Sequence, residues 1–394
     1  MTSHQRFEAI LNHAKPDRMP FYFPTIACSV ASELLGRPVD SGADSLHFKE
    51  ERSWIDGEGA HEEFVARHHE SAIALNRLLR ADVVRETWRC ISRPSRLLDE
   101  NTLLFGDENG PRVVKRFFPD QQTYGIVEDT LSPNTPDELI AALEVEMRRD
   151  TRVTESELQD IYGDQLRFKT LADPFFPAIV GGVGIGIPMS STAWLEGTVM
   201  APEFLGEYFA FKAALGVQHV AWLRRKGYRF INAGVDLASS SGPMFSPATF
   251  RRTLGPALKT MADKCREHGM AYCFRTDGNI WSLMEALFSE TGIQAYGEVD
   301  RQASMTVGAI RAKYPDLIIL GNVSSTTLCN GTESDVRAET QASLRESEGL
   351  NYIAGPSNAI VHGTPVRNVY AMREEIERYG PAIDGGGSCL NFIG

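Results

Sequence analysis

Two rhythms of apolar and polar positions alternate along the chain. Short apolar runs end abruptly in charge, and each hands over to a stretch with helical spacing. Residues 270–279 show this most fully. Their first half is apolar and aromatic, Arg275, Asp277 and Asn279 follow, and Gly278 allows a sharp exit. Ile280, Leu283, Met284, Leu287 and Phe288 then recur at helical spacing. A run of strand length followed by such a helix predicts one βα unit of a parallel sheet. Residues 228–236, 293–300, 317–324 and 350–358 repeat the pattern, and 166–173 reads as a further strand ending in Asp173-Pro174. Ser246 and Pro247 start a helix whose face carries Phe250, Leu254, Leu258, Met261 and Cys265, closed by Gly269.

The first third is less regular. Residues 5–14 have helical spacing through Phe7, Ile10 and Leu11, and 18–25 form a short apolar strand bounded by prolines. A short helix over 28–36 closes at Gly36, and 40–60 reads as charged and irregular. Residues 61–80 are helical through Phe64, Ala72, Leu75 and Leu79, and they feed a strand at 81–86. Residues 102–130 predict a β-hairpin about the turn 106–110 with one more strand beside it, an antiparallel insertion laid on the main domain. A polar helix over 133–162 follows, and Thr364-Pro365 starts the last helix.

Two strands before the insertion and six after it predict an α/β fold of the (β/α)₈ TIM-barrel type. It would carry an N-terminal helical extension and the hairpin insertion, form one domain over residues 1–380, and end in a flexible tail over 381–394. An open doubly wound sheet is the alternative. The glycines Gly182, Gly184 and Gly186 do not make a dinucleotide fingerprint, because Pro188 follows and no acidic ribose partner sits at a suitable strand end. They predict a flexible loop over the barrel mouth.

Composition narrows the function. The chain has 394 residues and a net charge of −12, with no basic stripe to bind nucleic acid or an anionic membrane. No apolar run approaches the ~20 residues of a membrane span, and the N-terminus has no signal-peptide core. Cys28, Cys90, Cys265, Cys273, Cys329 and Cys389 lack paired spacing and read as reduced thiols of a cytoplasmic protein.

In a barrel the C-terminal strand ends converge on one pocket. Here they present Asp173, Asp236, Arg275, Asp277, Asn279, Glu298, Asp300, Asn322 and Asn358, with His362 in the last loop. Carboxylates crowded around one guanidinium shift one another's pKa values, which lets a general acid stay protonated near neutral pH. Helix capping is the plainer role for Asp173 and Asp300. Arg275 serves either as an ion-pair partner or as a bidentate anion binder. His68 and His69 read as surface residues of an amphipathic helix, and His268 as a helix-end cation. Signatures of serine hydrolases, P-loop enzymes and zincins are missing.

These segments resemble the uroporphyrinogen decarboxylase superfamily, which includes methylcobalamin:thiol methyltransferases. The resemblance lies in Arg6 with Asp17-Arg18-Met-Pro20, in Val235-Asp236 with Gly242-Pro243 and Ser246-Pro247, and in Thr276-Asp277-Gly278-Asn279. It continues through Leu320-Gly321-Asn322-Val323 and Pro356-Ser357-Asn358 to Gly363-Thr364-Pro365. It implies a (β/α)₈ barrel. The arginine- and glycine-containing propionate loop of true decarboxylases is replaced by residues 21–27, which contain no arginine. The zinc ligands of the thiol methyltransferases are replaced by Arg275, Asp277 and Asn358, so zinc is doubtful. Asp277, Glu298 and His362 offer an alternative oxygen and nitrogen donor set. The resemblance thus implies a cobalamin-dependent methyltransferase whose cofactor resides on a partner corrinoid protein. Asp277, Glu298 and Asp236 would be catalytic, and Arg275, Asn279, Asn322, Asn358 and His362 would bind a small methylated substrate. A decarboxylase or lyase acting on a carboxylated substrate, and a non-catalytic binding protein, are the alternatives.

Overall fold

The structure is a computed structural model and describes residues 1–379. The tail expected over 381–394 lies outside the described residues. Eight parallel segments close into a ring, as the strand pattern predicts. A five-stranded sheet runs Phe230–Gly234, Ala271–Arg275, Ala295–Gly297, Ile318–Leu320 and Tyr352–Ile353 in spatial order. The remaining joints are shorter. Phe21 bridges Ala354, with Tyr22 N–H donating to Ala354 O at 2.9 Å, and Asp82 N–H donates to Phe21 O at 2.7 Å. Val84–Arg85 pairs with Ala178–Ile179, and Val180 bridges Ile231.

Period-two alternation divides the core between the two faces of this ring. Phe7, Tyr22, Val83, Ile179, Phe230, Cys273, Ala295, Ile318 and Ile353 fill the interior, while Tyr272, Phe274, Tyr296 and Ile319 face the surrounding helices. The opening helix Ser3–Leu11 plugs the N-terminal end by placing Phe7 against Phe230, ring centroids 5.9 Å apart. Arg6 and Arg18 converge on the fully buried Asp82, which also accepts from Phe21 N–H at 3.1 Å. No helix among the described residues is long and apolar enough to cross a membrane.

Three local expectations are corrected. Residues 166–173 are not a strand, because the helix Glu155–Ala172 runs through them. Thr154 and Glu157 form its capping box, and Leu158, Tyr162, Phe168 and Ala172 make its buried face. The third ring strand is Ala178–Ile179, and Asp173 is an exposed helix end paired with Lys169 at 2.5 Å, at the opposite end of the ring from the strand ends. Residues 40–60 hold the helix Ala43–Ser53, which lacks an apolar rhythm because its inner face carries buried acids. Glu50 pairs with Arg89 at 2.7 Å, and Glu51 accepts from Lys115 at 2.6 Å and from the Tyr124 hydroxyl at 2.5 Å. Finally, His68 and His69 are buried, since the helix Glu58–Leu78 is covered on more than one side. His69 meets Glu86 at 2.6 Å and His68 meets Asp40 O at 2.9 Å.

The insertion is a four-stranded antiparallel sheet: Arg96–Asp99, Thr102–Gly106, Arg112–Phe118 and Thr123–Asp129. It packs on the helix Ala43–Ser53 through Phe117 stacked on Phe48, centroids 4.9 Å apart.

The joint between the fourth and fifth ring strands needs a glycine. Gly234 sits at φ +140°, opposite Arg275, and a Cβ there would lie 2.2 Å from Arg275 O. Gly234→Ala is therefore expected to lower stability by about 1–3 kcal/mol in chemical denaturation. An unchanged midpoint would show that this joint opens freely.

Candidate active site

Each ring strand ends where its apolar run gives way to polar residues, and several of these ends meet. The strand Phe230–Gly234 continues to Asp236, Ala271–Arg275 to Asp277, and Ala295–Gly297 directly to Glu298. Carboxylate oxygens of Asp236, Asp277 and Glu298 lie within 4.8 Å of one another; Asp236 is exposed, Asp277 intermediate and Glu298 buried. The backbone locks this arrangement. Thr276 is fully buried and its hydroxyl accepts from Leu237 N–H at 2.8 Å, while Asp277 N–H donates to Asp236 Oδ1 at 3.3 Å. Gly278, at φ +80°, packs where a Cβ would strike Ala238 O at 2.5 Å. Glu298 itself sits at φ +63°, a left-handed conformation costing an L-residue about 1–2 kcal/mol.

Arg275 is paired with Glu298. Of the two roles open to this guanidinium, the structure shows the ion pair. Asn358 donates from Nδ2 to Asp277 Oδ2 at 2.5 Å. Burial pushes the Asp277 carboxyl up to about 7, reinforced by Glu298 and Asp236 and opposed by the Asn358 hydrogen bond. Burial also raises Glu298, with Arg275 pulling the other way and Asp236 adding to the rise.

The other expected residues are placed differently. Asn322 is fully buried, and its amide donates to Val299 O at 3.0 Å and Met305 O at 2.9 Å. It braces the loop after Glu298 and has no face toward a substrate. Asn279 accepts from Trp281 N–H at 3.2 Å, shaping the turn that leaves the fifth strand. Asp300 caps the short helix Arg301–Ala303 by accepting from Gln302 N–H at 2.9 Å. His362 is exposed, meets Ser29 Oγ at 2.7 Å, and does not join the three carboxylates.

Three residues at this end of the ring escaped the sequence reading. Tyr22 and Asn232 line a narrow cavity with Arg275, Gly297 and Glu298. Arg85 ends the second strand, and its charge acts on Tyr22 and Glu298. The rule that found Arg275, a charge closing an apolar run, applies equally to Arg85 in residues 81–86.

A thiolate-held zinc does not fit these residues. The grouped donors are all carboxylate oxygens, and Cys273, the thiol of the interior cluster, is fully buried with its pKa pushed up by burial.

Residues 226–379 match the family model described as uroporphyrinogen decarboxylase (URO-D). That stretch contains the last five ring strands and Asp236, Asp277 and Glu298. The match agrees with the resemblance carried by the motifs over this part of the chain. Among solved structures, a methyltransferase from Methanosarcina mazei superposes with a TM-score of 0.64 at 16% identity, covering 96% of this chain and 98% of that one. It shows the same fold across both halves. A xylose isomerase domain protein from Alicyclobacillus acidocaldarius matches with a TM-score of 0.36 at 11% identity, covering 61% of this chain and 92% of that one. No curated protein matches the chain.

Proposed function

We propose that this protein is a methyltransferase that moves a methyl group between a small methylated substrate and a corrinoid carried by a separate protein. The observation that carries the reading is a half-buried carboxyl, Asp277, grouped at the barrel mouth with two further acids that help raise its pKa to about 7. The match to the uroporphyrinogen decarboxylase model and the methyltransferase among the structural neighbours support a decarboxylase-like or methyltransferase-like role. The rim favours a partner protein. Trp88 and Ile91 after the second strand, Met244 after the fourth and Val361 after the eighth are exposed apolar side chains around the mouth.

When bound, the corrinoid supplies the metal centre that accepts the methyl group. The residues of this chain act on the other half of the reaction. As the bond from methyl carbon to oxygen breaks, its electron pair stays with the departing oxygen. Asp277 in its protonated form donates its proton there and becomes a carboxylate. Asn358, already hydrogen-bonded to Asp277, orients that carboxyl and stabilises the charge it gains. Arg275 holds Glu298 in its strained position, and Asp236 with Glu298 keeps the Asp277 pKa high.

The test uses the purified chain with a reduced corrinoid protein and a panel of methoxylated and N-methylated small molecules. Methylation of the corrinoid, followed by its absorbance, is expected with at least one donor and is expected to fail in Asp277→Asn and Glu298→Gln. Undiminished transfer in both variants removes these roles. Carbon dioxide release from a carboxylated substrate with no corrinoid present would instead favour the lyase reading.

A further inference from the structure

A guanidinium outside ion-pair distance of every described carboxylate stands at the barrel mouth. Val83 belongs to the ring interior and Val84 to the outer core, so strand alternation turns Arg85 back toward the interior. There its charge acts on Tyr22, Cys273 and Glu298. No carboxylate among the described residues comes within 4.0 Å of it, and its Nε is buried without a hydrogen-bond partner. The neighbouring arginines differ. Arg275 is paired with Glu298, and Arg89 is shared among Glu50, Glu86 and Asp164.

Two more polar groups at this end of the ring lack partners. The Tyr22 hydroxyl and the Asn232 Oδ1 are buried and unbonded, on side chains 5% and 4% exposed, and both line the cavity that contains Glu298. Leaving such groups unpaired is costly, and more so for a charge. Arg85 also lines a polar, solvent-open cleft with Trp88, Gln165 and Gly181.

We infer that the ligand of this site carries a carboxylate, gripped by the Arg85 fork with the Tyr22 hydroxyl as a second donor, while its reacting end faces Asp236, Asp277 and Glu298. The inference rests on reading the barrel mouth as the methyl-transfer site and adds its substrate class. A single uncompensated guanidinium suits a monoanion. A phosphate dianion would meet three carboxyl groups with only one positive charge to offset them. Arg85 thus takes over the anion-binding role that the sequence leaves open for Arg275.

Calorimetric titration without any corrinoid protein tests this, using benzoate and 3-phenylpropanoate against benzamide, 3-phenylpropanamide and phenyl phosphate. At least one carboxylate is expected to bind about tenfold to a hundredfold more tightly than its amide and more tightly than phenyl phosphate. That preference is expected to vanish in Arg85→Gln and to survive in part in Arg85→Lys, which keeps the charge without the fork. Equal binding of carboxylate and amide, no carboxylate binding, tighter binding of phenyl phosphate, or a preference unchanged in Arg85→Gln overturns it. Should Arg85→Gln not fold, the native chain and Arg85→Lys decide the matter. Arg85-dependent carboxylate binding without methyl transfer would sink the proposed function and leave this subsite standing. Methyl transfer without carboxylate preference would do the reverse.

Discussion

Replacing Arg275 with methionine is expected to destabilise the protein by about 3–5 kcal/mol, because it leaves a buried carboxylate without its counter-charge. Glu298 is 8% exposed and its ion pair is with Arg275. The double variant Arg275→Met/Glu298→Gln is expected to regain at least half of the loss, since an isosteric amide needs no counter-ion. The deficit of the single variant should shrink at acid pH. Without Arg275 the folded pKa of Glu298 rises further, so folded-state stability is retained below the unfolded carboxyl pKa and lost as pH climbs through the raised one. Urea unfolding of the three proteins at pH 5 and pH 8 checks both points. A single variant as stable as the native chain at pH 8 would mean that Glu298 is protonated there or solvated.

Asp277→Asn is expected to slow methyl transfer by about 10²–10⁴-fold, the range for loss of a positioned general acid. In the native protein the rate should fall tenfold per pH unit above about 7, where the acid form of Asp277 is depleted, and the variant should lose this limb. Stability moves the opposite way. The folded pKa of Asp277 is raised from 3.8 to about 7, so its contribution is intact below 3.8 and is lost as pH rises to 7. The amide of the variant does not titrate and carries no such loss. At pH 8 the variant is expected to be more stable than the native chain by about 2–4 kcal/mol, with no gain at pH 4. Reduced activity together with increased stability is the signature of a strained functional acid. A variant that lost both would point to a structural role.

Much of the site was legible because one rule links sequence to position in a parallel ring. Every strand end emerges on the same face, so Asp236, Asp277 and Glu298, each following an apolar run, had to approach one another once the ring closed. The rule failed where an element was misassigned. Asp173 left the constellation because the polar helix Glu155–Ala172 continues through the residues read as a strand. Burial of His68, His69, Glu50 and Glu51 was not legible either. Their partners Asp40, Glu86, Arg89, Lys115 and Tyr124 lie far off in sequence, and a paired polar face looks like a solvated one.

The chain's hydrophobic rhythm alone located seven of the eight ring strands and the end of the ring on which chemistry gathers, and put its three acids among five candidates. Only the tertiary structure decided how each polar side chain is engaged. Arg275 and Arg85 both close an apolar run, yet one pairs with Glu298 across a strand pair and the other has no carboxylate within ion-pair distance among the described residues. Asn322 and Asn358 both follow ring strands, yet one braces buried carbonyls and the other holds Asp277. Strand rhythm is a property of neighbours along the chain, whereas charge pairing depends on distances between strands, which exist only after the ring has closed.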